Sequence, residues 1–172
     1  MMIYRLLIMS VCLLLSYSVV ADPYKVLKQN NIVLPEVSSP LANYVKTLRV
    51  GELVYTSGHV SIGLDGTPIK GKLGKTMTVE QGKEAAKATA VQILTSLQQE
   101  LGDLHKIKRI VKVVGMVNAT SDFTEHSQVM NGFSDFIVEV FGDKGRHVRT
   151  AVGMNSLPGD YALEIEVIVQ VN

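Results

Sequence analysis

Cysteine is almost missing from this chain. The single one, Cys12, lies in the apolar stretch that opens the sequence. One cysteine cannot close an intrachain disulfide or build a thiolate metal cluster. Tryptophan is absent and aromatic residues make up only 6% of the chain, so the core must be mainly aliphatic. Charge of one sign is also lacking. The 17 Lys+Arg nearly balance 16 Asp+Glu, and no basic stripe suggests nucleic acid or an anionic membrane as partner. Histidine is scarce too: His59, His105, His126 and His147 show no metal-pair spacing, so no metal or cofactor is expected. After the opening segment there is no second long hydrophobic run, so stable membrane insertion is not expected.

What is present first is an export signal. MMIYRLLIMSVCLLLSYSVVA has Arg5 as a short positive region, an apolar run from Leu6 to Val20, and Val19-Val20-Ala21 as a small-residue cleavage site. The expectation is a signal peptide over residues 1–21 and a secreted or periplasmic product, with an uncleaved anchor as the alternative. Cleavage would leave 151 of the 172 residues, remove Cys12, and lower the 17 Lys+Arg by one to equal the 16 Asp+Glu. The mature chain suits one domain with a real core.

Residues 22–39, rich in proline and polar side chains, read as an N-terminal arm that docks late on a domain spanning 40–172. YVKTLRVGELVYTSG reads as a hairpin turning at Gly51-Glu52. Leu64-Asp65-Gly66 marks another turn, and GTPIKGKLGKTM (66–77) reads as a mobile loop. Thr78-Val79-Glu80-Gln81 is a capping box. It opens a helix whose apolar residues recur from Val79 to Leu101 and which stops at Gly102. IKRIVKVVGMVN (107–118) reads as a central strand. Asp122 is expected to cap a second helix with Val129, Phe133, Phe136, Ile137 and Val140 as its buried stripe, ending at Gly142. GRHVRTAVGMNSLPGDYALEIEV then supplies two strands, read as a hairpin about Leu157-Pro158-Gly159-Asp160. The order is β-β-α-β-α-β-β. Two helices cover one sheet face only. In the last strand Leu163, Ile165, Val167, Val169 and Val171 point one way, while Glu164, Glu166, Ile168 and Gln170 point the other. A partly apolar, uncovered face points to a closed homo-oligomer with polar pockets between subunits.

Four stretches carry a family resemblance: Tyr44 before the first strand, Thr56-Ser57-Gly58 ending the second, Asp122-Phe123 opening the second helix, and Arg149 through Leu157-Pro158 to Glu164-Ile165-Glu166. Together they resemble the RidA/YjgF family, over about Pro40 to Val171. The extended loop before Thr78, VEVFGDKGRHVRTAVG and Val129-Met130-Asn131-Gly132 are similar to a longer subgroup. The resemblance implies a chorismate-mutase-like α+β fold, a homotrimer and pockets between subunits. It also implies hydrolysis of reactive enamine/imine acids to 2-keto acids and ammonia. Older family names imply ribonuclease activity, for which this chain lacks a basic stripe and a histidine pair.

An imino acid carries a carboxylate and an electrophilic C=N carbon. Arg149 has the planar, permanently charged fork that grips a carboxylate. From the residues alone a salt bridge is an equal reading, and the resemblance favours binding. Glu164 suits a base or acid that positions water. A register with Ala151 opposite Glu164 would put Arg149 and Glu164 on one face; a one-residue slip would separate them. Ala151 and Gly153 would leave room beside Arg149. Ala151 stands where many relatives have cysteine, which excludes thiol chemistry there. Tyr44 would form a pocket wall, Ser57 and Gly58 would donate to the substrate, and Asn131 and Ser127 are candidates on the second helix. His147 would sit at the pocket rim, His126 in solvent, and His59 on the surface by default. Glu166 reads as structural. The alternative function is a non-catalytic trimeric binder of small carboxylates.

Overall fold

The computed structural model describes residues 21–36 and 42–172. Most of the expected signal peptide, residues 1–20, and residues 37–41, where the expected arm meets the domain, therefore lie outside the described residues. The elements are α1 (Pro23–Gln29), β1 (Thr47–Val50), β2 (Leu53–Thr56), β3 (His59–Val60), α2 (Val79–Leu101), β4 (Ile107–Asn118), α3 (His126–Phe141), β5 (Val148–Met154) and β6 (Leu163–Val171). The fold is mixed α+β, with one sheet in the order β1-β2-β6-β4-β5, and β3 also pairs with β6. Among the described residues no helix is long and apolar enough to cross a membrane.

The two long helices form for local reasons. At α2 the Thr78 hydroxyl accepts the Gln81 amide at 3.2 Å while the Gln81 side chain accepts the Thr78 amide at 2.9 Å. Gly102 ends the helix in the left-handed region at φ 73°. Helix α3 begins later than expected. Glu125 precedes its first turn without a side-chain cap, and Asp122 lies outside the helix in the preceding turn. Thr120 beside Asp122 holds that carboxyl below its ordinary value. The two helices approach closely where Gly132 of α3 meets the Lys83 backbone of α2; a Cβ at Gly132 would overlap the Lys83 carbonyl.

Both helices cover one sheet face. Leu163, Ile165, Val167, Val169 and Val171 of β6 are all buried beneath them with Phe133, Ile93 and Leu94. The other face is open. Cross-strand register puts Leu48, Tyr55 and Ile168 in one row, and Glu164, Met116 and Val152 in another. Leu48, Val50, Tyr55, Val148 and Val152 remain exposed there.

Three expectations need correction. First, β5 and β6 do not form a hairpin. β5 runs parallel to β4, and β6 lies antiparallel on the other side of β4. A parallel pair needs a long crossover, and α3 supplies it. The Leu157–Asp160 segment then carries the chain past β4, bending at Gly159 (φ 61°) and Asp160 (φ 59°). Second, the arm contains a helix. Asp22 accepts the Tyr24 amide, Pro23 takes the first turn where its missing N–H costs nothing, and Leu27 and Ile32 are buried. Third, residues 66–77 are pinned. Leu73 is fully buried, its amide donates to the Asn118 carbonyl at 2.8 Å, and Gly71 donates to the Asp160 carbonyl at 3.0 Å. Burying a leucine is worth about 1.5–3 kcal/mol, enough to anchor a polar loop.

Candidate functional site

The sequence-predicted residues fall into two groups. The first lines a cleft of about 400 Å³ at one end of β6, and contains Tyr44, Ser57, Gly58 and Glu164. Sequence reasoning did not single out Lys46, Gln92 or Tyr161, which line it too, as does Pro158 of the Leu157-Pro158 motif.

Glu164 is half-buried. Burial first, then the nearby Glu166 carboxylate, push its pKa above the ordinary 4.5. Its side chain lies across the Cα of Gly58: a Cβ at Gly58 would overlap the carboxylate. Gly58 is thus needed for close approach, which turn chemistry alone does not reveal. Ser57 is largely occupied by structure. Its amide donates to the Lys46 carbonyl at 2.9 Å, and its own carbonyl meets His59 Nδ1 at 2.9 Å. Its hydroxyl is only loosely held, 3.5 Å from the Lys46 carbonyl. Tyr44 stands at the cleft mouth, 52% exposed. Glu166 is exposed on the open face and acts on the cleft through its charge.

His59 is not a surface histidine. It is 6% exposed, and its Nε2 lies 2.8 Å from the Ser96 hydroxyl of α2. The Ser57 carbonyl can only accept, so Nδ1 carries the proton and Nε2 accepts from Ser96. Burial, offset in part by the Ser57 carbonyl, and the Lys46 charge hold this imidazole below its ordinary 6.5. It ties β3 to α2 as a neutral ring.

The second group surrounds Arg149 on the edge strand β5. Val113 of β4 pairs with both Arg149 and Val167, which places Arg149 on the helix-covered face. Its guanidinium turns to α3. Nη1 donates to Asn131 Oδ1 and Ser134 Oγ, each at 3.0 Å, and Nη2 to the Ser127 carbonyl at 3.3 Å. Asn131 and Ser127 therefore do meet Arg149, as its supports, and Ser127 does so through its backbone. Ser134 was missed, although positions 127, 131 and 134 share one helical face. Ser134 also meets His147 Nε2 at 3.0 Å, and His147 Nδ1 lies 2.6 Å from the Gly145 carbonyl. Only one proton order satisfies every atom: Arg149 donates to Ser134, Ser134 to His147, and His147 to Gly145. Burial first, and Arg149 as a smaller cause, lower the His147 pKa. Every partner of Arg149 is neutral, and among the described residues it makes no ion pair.

The space expected beside Arg149 is filled. Ala151 packs against the core, and His126, half-buried rather than solvated, lies over Gly153. The expected Ala151–Glu164 pairing does not occur. Ala151 pairs with Gly115, whereas Glu164 pairs with Met116, so Arg149 and Glu164 occupy opposite faces of one sheet. The slip that separates them comes from β4 lying between their strands.

Comparison with known proteins follows this geometry. The family model described as YjgF/chorismate mutase-like matches residues 25–165. Protein TCP17 of Trypanosoma cruzi is 41% identical over 147 residues, covering 85% of this chain and 92% of that protein. The crystal structure of Atu1372 from Agrobacterium tumefaciens, of unknown function, superposes with a TM-score of 0.80 at 37% identity, covering 87% and 94% of the two chains. A Shewanella oneidensis structure provisionally named an endoribonuclease gives a TM-score of 0.83 at 29% identity, covering 87% and 99%.

Proposed function

The chain belongs to the YjgF/chorismate mutase-like family, the RidA/YjgF family, and from that premise we propose that it hydrolyses enamine/imine acids to 2-keto acids and ammonia. One observation carries this reading: Arg149 keeps an unneutralised guanidinium in fixed orientation at a sheet edge. A side chain held only by neutral groups retains its charge for a ligand carboxylate.

Arg149 and Glu164 lie on opposite faces, so one chain does not present both to one small molecule. A second copy meets the need. The apolar open face gives copies a surface to bury, and in this reading Arg149 of one subunit completes the Glu164 cleft of its neighbour in a homotrimer. In that site Arg149 holds the substrate carboxylate, and the C=N carbon sits over Gly58. Glu164 takes a proton from water as the oxygen adds to that carbon. It gives that proton to nitrogen, forming the carbinolamine, and then takes the hydroxyl proton and passes it to nitrogen as the C–N bond breaks, so that C=O forms and ammonia leaves. A glutamate raised above its ordinary pKa suits this exchange near neutral pH. In this reading residues 1–21 act as an export signal and the reaction belongs to the exported compartment.

The test is keto-acid release when an amino-acid oxidase generates imines in situ. Addition of the protein is expected to accelerate release beyond spontaneous hydrolysis. No acceleration across several amino acids sinks the reading. Retained binding of small carboxylates would then leave a binder without turnover. The separation of Arg149 from Glu164 favours that second reading, because it lets binding persist without chemistry.

A further inference from the structure

We propose, resting on the reading above that Arg149 takes the ligand carboxylate, that Ser134 and His147 are positioning residues. Together they close the Nη1 end of the guanidinium and turn its Nε/Nη2 edge to the ligand. The count of donors carries this. Both Nη1 hydrogens are spent, one on Asn131 Oδ1 and one on Ser134 Oγ, each at 3.0 Å. One Nη2 hydrogen goes to the Ser127 carbonyl at 3.3 Å. The Nε–H and the second Nη2–H remain, and among the described residues neither has a partner. A carboxylate needs two neighbouring N–H groups for parallel bonds. The Nη1/Nη2 end cannot offer them, since Nη1 has none left. The Nε/Nη2 edge can.

Ser134 can serve Arg149 only because of His147. A serine inside a helix readily turns its hydroxyl back to the carbonyl four residues earlier, here that of Met130. Ser134 instead lies 3.0 Å from His147 Nε2 and donates to it, which leaves its lone pairs to Arg149. His147 accepts because its other nitrogen holds the ring proton against the Gly145 carbonyl, 2.6 Å away. Burial lowers its pKa and so keeps Nε2 free to accept. The buried ring of Phe133 stands edge-on to the imidazole, 6.2 Å between centroids, and fixes its plane. Gly145 is itself pressed against α3, where a Cβ would overlap the Ile137 carbonyl. The chain of bonds therefore starts on fixed backbone and ends on the guanidinium. His147 does not bond to Arg149; it acts through Ser134.

The experiment titrates the protein with 2-oxobutanoate, a small 2-keto acid, and needs no turnover. In isotope-edited NMR the Arg149 Nε–H resonance, assigned by its loss in Arg149→Lys, is expected to shift downfield as the ligand binds. Binding that leaves this resonance in place overturns the proposal. By calorimetry, Ser134→Ala and His147→Phe are each expected to weaken 2-oxobutanoate roughly tenfold, and Ser134→Thr to retain the wild-type affinity. The double variant is expected to lose no more than either single one, because both interrupt the same chain. Unchanged affinity in the folded single variants overturns the positioning role, and so do losses that multiply in the double variant. A wild type that binds no 2-oxobutanoate overturns it as well. Binding with these responses but without imine hydrolysis defeats the hydrolase reading alone and upholds the positioning role.

Discussion

At Glu164 the proposed catalysis and stability pull in opposite directions. Burial raises its pKa in the folded chain, so ionisation is penalised on folding. The sign follows from proton linkage: a raised folded pKa favours the folded state at low pH, and that contribution is lost as pH rises through the folded pKa. Glu164→Gln is therefore expected to raise the melting temperature at neutral pH, with the difference vanishing below the ordinary 4.5, while imine hydrolysis is lost. A lower melting temperature at neutral pH would contradict this. His59 has the opposite sign. Its folded pKa is lowered, so its contribution is complete above 6.5 and lost as pH falls through the folded value. Melting scans from about pH 7.5 to about pH 5 are expected to show falling stability, with a shallower fall in His59→Asn. An equally steep fall in the variant would assign the loss to other groups. These two roles were unequally legible. Glu164 stands out as a charge within an apolar strand. The burial of His59 depends on Ser96, 37 positions away, and no local pattern encodes it.

Between elements, packing is tight at Gly132, where α3 lies on the Lys83 backbone of α2. Backbone cannot move aside as a flexible side chain can. Gly132→Ala is expected to destabilise the protein by about 1–3 kcal/mol, despite alanine's better helix propensity, as read by chemical denaturation. A neutral or stabilising result would mean that the helices separate easily. The elements that were legible are those with local signals: the capping box at Thr78, the stop at Gly102, and the Gly51-Glu52 turn. Helix α1 also had such a signal in Asp22-Pro23, but its proline-rich setting obscured it. The pairing of β5 was not legible. Both a hairpin and a crossover place an apolar alternation before and after Leu157-Pro158. Only the β4-α3-β5 crossover decides between them, and it is a tertiary fact. The same difficulty hid the anchoring of residues 66–77, whose glycines and lysines look mobile until Leu73 is seen in the core.

For the whole molecule, the two faces of the sheet have different tasks. One is sealed by α2 and α3. The other leaves Leu48, Val50, Tyr55, Val148 and Val152 exposed, a patch that suits burial between copies. Sedimentation is expected to find a trimer, and a charge at Leu48 should shift it towards monomer with loss of hydrolysis; a monomeric wild type would refute the shared site. The family and α+β architecture could be read from spacing, because motifs survive translation into sequence distance. That Arg149 and Glu164 do not meet could not, because which face each residue takes depends on strand order. With the proposed composite site, this separation should make inactivity reversible by mixing. Arg149→Ala chains still carry an intact glutamate cleft, and Glu164→Gln chains still carry an intact arginine. Co-refolded in equal amounts, two dead variants should assemble hybrids in which roughly a quarter of the sites recover both groups. Complementation of this kind separates a composite site from one contained in a single chain.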